Sequence, residues 1–282
     1  MSNILILGAG SMGTAFSFPC SDNGHSVSIV GTHLENDFID KINSTKKHPA
    51  LDCEVQKNVK FFKFEKLKEE INKKIDLIVI AVVSKGIEWA SNEISKVLKS
   101  NVPILILTKG LAINNNNYEV LAHKMERLLK KNGMKETNIS AAGGPCLAKN
   151  LANKAHTAVV FANNDIKIAE KISKLVSTDY YHVSTSDDVV GVETCAAIKN
   201  IFSMAVGASQ GLCDANQSKE KNYLNTAAAL MQESIYEMIT FVEKLKGKKE
   251  TVIGLAGIGD LYVSADGGRN SKMGEHLGQG MT

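Results

Sequence analysis

Short apolar runs alternate along the first two thirds of the chain with stretches whose apolar residues recur every three or four positions. In runs such as ILIL, DLIVIAV and PILIL the apolar residues are consecutive, as in parallel strands buried on both faces. This pattern predicts strands at residues 4–7, 27–30, 59–62, 76–82, 103–107, 138–142, 157–161 and 180–184. It predicts helices between them, among others at residues 86–98, 118–131 and 165–176. The β-α-β-α order therefore predicts an α/β fold with a doubly wound sheet.

Strand patterns end near residue 186, and the remainder of the chain has the pattern of helices. Helices are predicted at residues 187–208 and from about residue 219 to residue 246. We therefore predict an N-terminal sheet domain at residues 1–186 and a C-terminal all-helical domain at residues 187–282.

The segment GAGSMG follows the first predicted strand and opens the first helix, and it has the G-x-G-x-x-G form of a dinucleotide-binding loop. In such a loop the first glycine, Gly8, permits the tight turn, and Gly10 lets a pyrophosphate approach the backbone. Gly13 allows the helix to pack closely on the strand, and the helix N-terminus presents free N–H groups to phosphate. This context predicts a Rossmann-type N-terminal domain that binds a dinucleotide.

The choice between NAD and NADP depends on residues about 20 positions after the loop, where an acid suits NAD and an arginine suits NADP. This chain has Gly31, Thr32 and His33 there, which offer neither. Glu35 follows slightly later, at a position expected on the next helix. Because no arginine is close, the sequence slightly favours NAD.

Composition and charge narrow the classes of function only a little. The 282 residues carry a net charge of +3, which is too small to indicate a nucleic-acid or membrane partner. No apolar run approaches the roughly 20 residues of a membrane span. The five cysteines have neither disulfide-framework nor zinc-ligand spacing, so we expect no metal site and a reducing, cytoplasmic location.

The helix predicted around GVETCAAIKNIFSMAVG is almost entirely apolar but carries a narrow polar stripe. On a helical wheel, Glu193, Lys199, Asn200, Ser203 and Gly207 fall within about 120° of one another. Burial disfavours the charged form of a lysine, so Lys199 is a candidate for the proton transfer that reduction of a ketone requires. A structural pairing of Lys199 with Glu193 explains the stripe equally well.

Three glycine-containing segments add candidates for a substrate site. TKG places Lys109 directly after the fifth predicted strand, at the carboxyl end where open α/β sheets bind ligands. AGGPCLAKNLA, after the sixth strand, is either a second anion-binding turn or a connector. In GIGDLYVSADGGRNSKMG, glycines surround Asp260, and Arg269 lies beside Asn270 in a turn that is either a phosphate clamp or a solvated turn.

Taken together, these segments resemble the NAD(P)-dependent glycerol-3-phosphate dehydrogenases, and the resemblance spans essentially the whole chain. It is carried by GAGSMGTA, TKGL, GGPCLAKNLA, VETCAAIKNIFSMAVG, GLAGIGDL and GGRNSKMGEHLG, in that order. The resemblance implies an oxidoreductase that interconverts dihydroxyacetone phosphate and sn-glycerol 3-phosphate by hydride transfer with NAD(P)H, supplying glycerol 3-phosphate for phospholipid synthesis. A small phosphorylated triose is then the expected substrate, and a homodimer is a candidate assembly.

The resemblance also implies roles for individual residues. Lys199 would be the proton donor and acceptor at the C2 oxygen, Asp260 would position that lysine, and Lys109 would contact substrate beside the nicotinamide. The implied substrate site comprises Lys109, Gly144, Cys146, Lys199, Asp260, Gly268, Arg269 and Asn270. The implied cofactor site comprises Gly8, Gly10, Ser11, Met12, Gly13, His33, Lys109, Ala148 and Arg269.

The chain departs from the family pattern at three places. Met12 stands where a tryptophan or phenylalanine is common, which is expected to have little effect. Cys146 stands where a serine is usual, so one substrate contact is expected to be weaker or lost. The sequence ends at Thr282, whereas family members usually continue through further helices, so we expect a truncated chain or an altered site.

Two other functions are compatible with the same residues. One is a dehydrogenase of the same two-part plan that acts on a β-hydroxy acid or on phosphogluconate. The segment GGRN favours a phosphorylated triose over the hydroxy acid. The other is a dinucleotide-binding relative that has lost catalysis.

Overall fold

The structure of the chain is a computed structural model that describes residues 1–51, 53–98, 101–215 and 223–281. The contacts divide the chain into two compact units. Unit 1 comprises Met1–Ala142 and Cys146–Val189, and unit 2 comprises Gly143–Pro145 and Val190–Thr282. The sequence predicts domains at residues 1–186 and 187–282, and these limits stay a prediction.

The strands of the described residues belong to one large sheet and two small hairpins. In chain order they are β1 (Asn3–Leu7), β2 (Ser26–Val30), β3 (Lys47–His48), β4 (Cys53–Glu54), β5 (Val59–Phe62), β6 (Leu77–Ile80), β7 (Ile104–Ile106), β8 (Leu111–Asn114), β9 (Asn117–Val120), β10 (Ile139–Gly143), β11 (Thr157–Ala162) and β12 (Tyr181–Ser186).

The large sheet has eight strands in the order β12-β11-β10-β7-β6-β1-β2-β5. The pairs β1–β2, β1–β6, β2–β5, β6–β7, β7–β10 and β11–β12 run parallel. Read from β5 to β10, the strands follow the 3-2-1-4-5-6 order of a Rossmann sheet, whose order reverses between β1 and β6. The predicted α/β class with a Rossmann-type sheet is therefore confirmed.

The helices connect the strands in unit 1 and make up most of the described part of unit 2. In chain order they are α1 (Ser11–Asp22), α2 (Asn36–Thr45), α3 (Leu67–Ile71), α4 (Ile87–Val97), α5 (Leu121–Lys131), α6 (Ala148–Ala152), α7 (Ile166–Val176), α8 (Val189–Ala215), α9 (Leu224–Lys244), α10 (Lys249–Val252), α11 (Asp260–Ala265) and α12 (Arg269–Gly278). After β12 the described residues form no strand, as the sequence predicts for a helical C-terminal part.

The core of unit 1 forms because the central strands bury consecutive apolar residues. Every residue of β6 is buried, as are four of the five residues of β1. Side chains from α1 and from the β11–β12 edge pack against them, among them Phe16, Phe161 and Tyr181. This core fixes the carboxyl ends of the parallel strands, where the candidate binding loops begin.

One predicted helix is wrong at its start. The helix expected at residues 118–131 begins at Leu121, because Asn117–Val120 pairs with Leu111–Asn114 in a β-hairpin. Asn115 and Asn116 form its two-residue turn with φ angles of 48° and 62°. Asparagine tolerates this left-handed conformation, which two-residue hairpin turns need. The asparagine run was the signal for a turn.

The helices of the C-terminal part also differ in extent from the prediction. The one expected at residues 187–208 is α8, which continues to Ala215. The one expected at residues 219–246 is α9, which begins at Leu224; residues 219–222 lie outside the described residues.

The length of α8 corrects the expectation that no apolar run approaches a membrane span. Among the described helices, α8 is long and apolar enough, by length and composition alone, to cross a membrane. However, 61% of its most apolar stretch is buried inside the structure. The core helix of a soluble protein passes the same test, so this feature is weak evidence for a membrane span.

Within unit 2, α8 and α12 pack with their backbones in contact. Two glycines four residues apart on α8, Gly207 and Gly211, face two glycines four residues apart on α12, Gly274 and Gly278. A Cβ on any of them would overlap backbone atoms of the other helix, for example the Glu275 carbonyl oxygen in front of Gly211. The absence of side chains at all four positions therefore allows this close approach.

Candidate active site

The glycine-rich loop lies between β1 and α1, at the point where the strand order of the sheet reverses. Gly8 has a φ of 109°, a conformation that favours glycine, and its N–H donates to the Val30 carbonyl oxygen at 2.8 Å. A Cβ on Gly8 would lie 2.8 Å from the Ala81 carbonyl oxygen, and one on Gly13 would overlap the carbonyl oxygen of Gly8. Both glycines are thus required by close packing of the loop against β6 and α1.

Gly10 differs from its two neighbours in the loop. A Cβ built on Gly10 meets no heavy atom within 4 Å among the described residues, so the space in front of it is open. Gly10 is also the N-cap of α1, and no described side chain caps that helix end. Ser11 and Met12, the first two residues of α1, are half-buried beside this space. An open cradle at a helix N-terminus fits the pyrophosphate of a dinucleotide.

Glu35 lies closer to this loop than its place in the sequence suggests. Its Oε2 accepts hydrogen bonds from the Thr32 N–H at 2.6 Å and from the Ala9 N–H at 3.4 Å. His33, a predicted cofactor residue, is exposed and lies against Trp89, with their ring centroids 5.4 Å apart. Trp89 also packs on Phe64, at 5.2 Å. Glu35 is therefore an acid beside the loop, although the sequence placed it on the next helix.

His48 is buried near the same loop. Burial lowers the pKa of His48, while the nearby Ala9 backbone and the charge of Glu35 act in the opposite direction. Its Nδ1 accepts the Ala50 N–H at 3.2 Å, and its ring meets the Phe38 ring edge-on. An imidazole whose pKa lies below the usual value of about 6.5 is mostly neutral at pH 7.

Lys109 follows β7 at the carboxyl edge of the unit 1 sheet. The preceding Thr108 donates its hydroxyl to the Val82 carbonyl oxygen at 2.6 Å, which ties the end of β7 to the segment after β6. Lys109 itself is half-buried. Lys109 therefore follows the carboxyl end of a parallel strand, as the sequence predicts.

In unit 2, the structure pairs Lys199 of α8 with Asp260 of α11. Lys199 Nζ donates to Asp260 Oδ1, and the two residues are only 8% and 1% exposed. Glu193 and Ser203, which share the predicted stripe, are buried as well, whereas Asn200 is exposed. A charge with so little access to water requires a partner, and the carboxylate supplies one.

The segment before Asp260 places its carboxylate at a helix start. Leu255–Gly259 forms a turn of π-helix that leads directly into α11, and such turns are frequent at functional sites. Asp260 is the first residue of α11, and its carbonyl oxygen accepts the Ser264 hydroxyl at 2.7 Å. The glycine pattern around Asp260 in the sequence therefore corresponds to a local break in regular helix.

Arg269 and Asn270 are the first two residues of α12, and Gly268 is its N-cap. Arg269 is exposed. Together with Lys272 and His276 it lines a groove along the exposed face of α12. No described side chain caps this helix N-terminus, and Arg269 is its first residue. A guanidinium beside free N–H groups is suited to a phosphate.

Three further predicted residues follow β10, between the end of that strand and the start of α6. Gly144 has a φ of 108°, which favours glycine, and belongs with its neighbours to unit 2. Cys146 is half-buried, and Ala148 is the first residue of α6; both belong to unit 1. AGGPCLAKNLA thus contains a connector between the two units, and its role in anion binding stays a prediction.

Among residues 1–51, 53–98, 101–215 and 223–281, no group of three or more His, Cys, Asp or Glu side chains could hold a metal ion.

Comparison with known proteins identifies the family. Residues 3–169 match the sequence profile described as NAD-dependent glycerol-3-phosphate dehydrogenase N-terminus. Residues 188–282 match the profile described as NAD-dependent glycerol-3-phosphate dehydrogenase C-terminus. The chain belongs to the NAD-dependent glycerol-3-phosphate dehydrogenase family.

Members of the glycerol-3-phosphate dehydrogenase family align along almost the whole chain. An NADP(+)-dependent glycerol-3-phosphate dehydrogenase of Archaeoglobus fulgidus is 32% identical over 279 residues, which span 99% of this chain and 81% of that protein. A glycerol-3-phosphate dehydrogenase (NAD(P)+) of Exiguobacterium sp. is 31% identical over 286 residues, covering 99% of this chain and 78% of its own length. The family assignment made from the sequence motifs is therefore confirmed.

Solved structures of glycerol-3-phosphate dehydrogenases share the fold. The crystal structure of the enzyme from Coxiella burnetii matches with a TM-score of 0.83 and 27% identity, covering 99% of this chain and 81% of that chain. The structure from Saccharomyces cerevisiae matches with a TM-score of 0.81 at 20% identity, with the same coverage, which shows the shared fold.

Proposed function

We propose that this chain catalyses the NAD(P)-linked interconversion of dihydroxyacetone phosphate and sn-glycerol 3-phosphate. The observation that carries this function is the buried Lys199–Asp260 pair of unit 2, in a chain of this family. A lysine with so little exposure is unusual unless it is paired or functional. The open cradle at Gly10 supports the dinucleotide requirement.

The reaction needs a hydride and a proton, and this chain's residues handle the proton. When bound, the reduced nicotinamide supplies the hydride to C2 of the ketone. Lys199 gives its proton to the C2 oxygen as the alkoxide forms, and takes it back in the reverse reaction. Asp260 fixes the amine of Lys199 in place and balances its charge while the amine is protonated.

The remaining predicted residues bind and orient. In unit 2, Arg269 and Asn270 hold the substrate phosphate at the N-terminus of α12, with Gly268 at the turn. Lys109 contacts the substrate. Further substrate contacts come from Gly144 and Cys146. The cofactor is held by Gly8, Gly10, Ser11, Met12 and Gly13 around the pyrophosphate, and by His33, Lys109, Ala148 and Arg269 elsewhere.

The first test mixes the protein with dihydroxyacetone phosphate and either NADH or NADPH, and measures the absorbance of the reduced nicotinamide. Turnover of the triose phosphate supports the proposal. A clear preference for a 3-hydroxy acid would instead favour the β-hydroxy acid dehydrogenase alternative. Nucleotide binding without turnover of any triose phosphate would favour a relative that has lost catalysis.

The role of Lys199 is tested by Lys199→Ala beside Lys249→Ala, an exposed lysine at the start of α10. Loss of the proton donor should lower kcat by about 10²–10⁴-fold, and NADH binding should be unchanged. Lys249→Ala should keep the wild-type kcat. Wild-type turnover by Lys199→Ala would refute the mechanism.

We also propose a cytoplasmic location, since the spacing of the five cysteines in the sequence does not suggest a disulfide framework. Assembly as a homodimer stays a prediction, and size-exclusion chromatography with light scattering would decide it.

A further inference from the structure

The carboxylate of Glu35 stands beside the dinucleotide loop rather than out on the next helix. It accepts a short hydrogen bond from the Thr32 N–H at 2.6 Å and a longer one from the Ala9 N–H at 3.4 Å. Thr32 lies just after β2, and Ala9 lies between the first two glycines of the loop. The negative charge is therefore held between the end of β2 and the cradle in front of Gly10.

A tight turn brings Glu35 back to the strand end. The Glu35 N–H donates to the Thr32 carbonyl oxygen at 3.0 Å, which closes the turn. Gly31 makes this possible, since a Cβ there would lie 3.0 Å from Ile39 Cγ1 and 3.3 Å from Glu35 Cβ. The turn thus brings Glu35 back to the end of β2, although the residue follows that strand by more positions than expected for an acid that contacts a ribose.

The segment that carries Glu35 contributes no lysine or arginine of its own, and Lys63, which follows β5, is paired with Asp40 at 2.7 Å. Residues 31–40 include three acids, Glu35, Asp37 and Asp40, and neither lysine nor arginine. His48 is the buried imidazole nearby, and burial lowers its pKa, so it is mostly neutral at pH 7. His33 is engaged with the Trp89 ring.

These surroundings treat the two cofactors differently. The free 2′-hydroxyl of NAD can donate a hydrogen bond to a carboxylate, which is a strong, charge-assisted bond. The 2′-phosphate of NADP would instead bring about two negative charges towards the carboxylate. Like charges that are placed together without a cation between them repel each other, which weakens binding.

We propose that Glu35 makes this chain select NAD(H) over NADP(H). The inference rests on the proposed function, because it assigns the selectivity of the same cofactor site. It separates this chain from its Archaeoglobus relative, which is named as NADP(+)-dependent.

The test measures binding of two probes that lack nicotinamide, ADP-ribose and 2′-phospho-ADP-ribose, to the full chain by calorimetry. The wild type should bind ADP-ribose at least about tenfold more tightly than the phosphorylated probe. Glu35→Gln keeps an oxygen acceptor for the Thr32 N–H but removes the charge. This variant should lose most of that tenfold preference, chiefly by binding 2′-phospho-ADP-ribose more tightly.

Asp37→Asn is the matched control, because it removes one charge from an exposed residue in the first turn of the same helix. It should keep the preference of the wild type. An equal change in both variants would mean that the general field of the acidic segment, not Glu35, sets the preference. Thermal unfolding of Glu35→Gln without ligand will show whether the turn itself has been disturbed.

The outcomes separate this inference from the proposed function. Equal binding of both probes to the wild type, or tighter binding of the phosphorylated probe, would overturn the assignment of Glu35 and leave the enzyme intact. Failure to bind either probe would count against the dinucleotide site itself, and so against the function on which the inference rests.

Discussion

At the scale of residues, glycine occupies three positions of the dinucleotide loop for different reasons. A Cβ on Gly8 or Gly13 would collide with backbone atoms of unit 1, whereas one on Gly10 meets nothing within 4 Å among the described residues. Gly8 and Gly13 are thus required by the fold. Gly10 is required only if something else must occupy the space in front of it.

This difference predicts that Gly10→Ala will weaken nucleotide binding without unfolding the protein. The φ of −63° and ψ of 176° at Gly10 suit alanine, so the free energy of unfolding should fall by less than about 1 kcal/mol. The new methyl group would occupy the pyrophosphate cradle and should weaken NADH binding by about tenfold or more. Calorimetric titration with NADH and urea denaturation of the same sample measure the two effects.

Gly13→Ala provides the contrast. Its methyl group would overlap the Gly8 carbonyl oxygen, so it should destabilise unit 1 by about 1–3 kcal/mol. If Gly10→Ala binds NADH like the wild type, the open space in front of Gly10 does not hold the pyrophosphate.

The pattern of the sequence predicted the residue types of the site, but it did not predict their partners; the pairing of Lys199 with Asp260 was implied only by the family resemblance. The polar stripe pointed to Lys199, yet no periodicity connects it to Asp260, which is 61 positions away. Glu35 was set aside because it comes late after β2. Only the turn at Gly31 returns it to the loop, and a turn of that kind depends on packing against Ile39.

At the scale of elements, the contact between α8 and α12 depends on four glycines at matching intervals. Glycine in the middle of a helix is unfavourable by roughly 0.5–1 kcal/mol relative to alanine. The two helices nevertheless carry glycine at four positions, which are Gly207 and Gly211 on α8 and Gly274 and Gly278 on α12. The close approach of the two backbones explains why.

We therefore expect Gly211→Ala to destabilise unit 2 in spite of its better helix propensity. The methyl group would overlap the Glu275 carbonyl oxygen, and a backbone atom cannot move aside as a side chain can. Separating the helices should lower the free energy of unfolding by about 2 kcal/mol, more than the propensity gain of up to about 1 kcal/mol. Urea denaturation followed by circular dichroism measures the difference.

Gly267→Ala is the control for that variant, because a Cβ there meets no atom within 4 Å among the described residues. It should change the free energy of unfolding by no more than about 0.5 kcal/mol. A Gly211→Ala variant as stable as the wild type would show that the helices can separate at little cost.

The elements themselves were largely predictable. Short apolar runs predicted all eight strands of the large sheet. The signal was clearest for central strands such as β6 and β7, in which every residue is buried. The hairpin of β8 and β9 was missed since its strands are short and only partly buried, with the paired Ile113 and Tyr118 both exposed. The two G-x-x-x-G patterns were visible in the sequence, but their pairing across helices was not.

At the scale of the whole molecule, the chain has a built-in probe of one unit. Its single tryptophan, Trp89, lies on α4 of unit 1, so tryptophan fluorescence reports on the unit that carries the dinucleotide loop. Apart from the tryptophan, unit 1 has its own apolar core, which includes Phe16 and Phe161.

NAD⁺ should therefore stabilise the transition that Trp89 reports. At a concentration 100 times its Kd, a ligand that binds only the folded state adds about 2.7 kcal/mol to the free energy of unfolding. Denaturant titrations with and without NAD⁺, followed by tryptophan fluorescence, measure this gain. Gly10→Ala at the same NAD⁺ concentration should gain less. An unshifted midpoint at saturating NAD⁺ would contradict a cofactor site in unit 1.

The glycine contact between α8 and α12 fixes the spacing of two residues that we propose to act on the substrate. Lys199 and Arg269 lie on the two helices it joins, and Gly207, two turns after the lysine, meets Ser271, two residues after the arginine. If Lys199 and Arg269 act at the carbonyl and at the phosphate as proposed, contacts between main-chain atoms set the distance between these two groups in an accepted substrate. A family member that came to use a longer phosphorylated ketone would have to change the loop before α12 rather than the helices themselves.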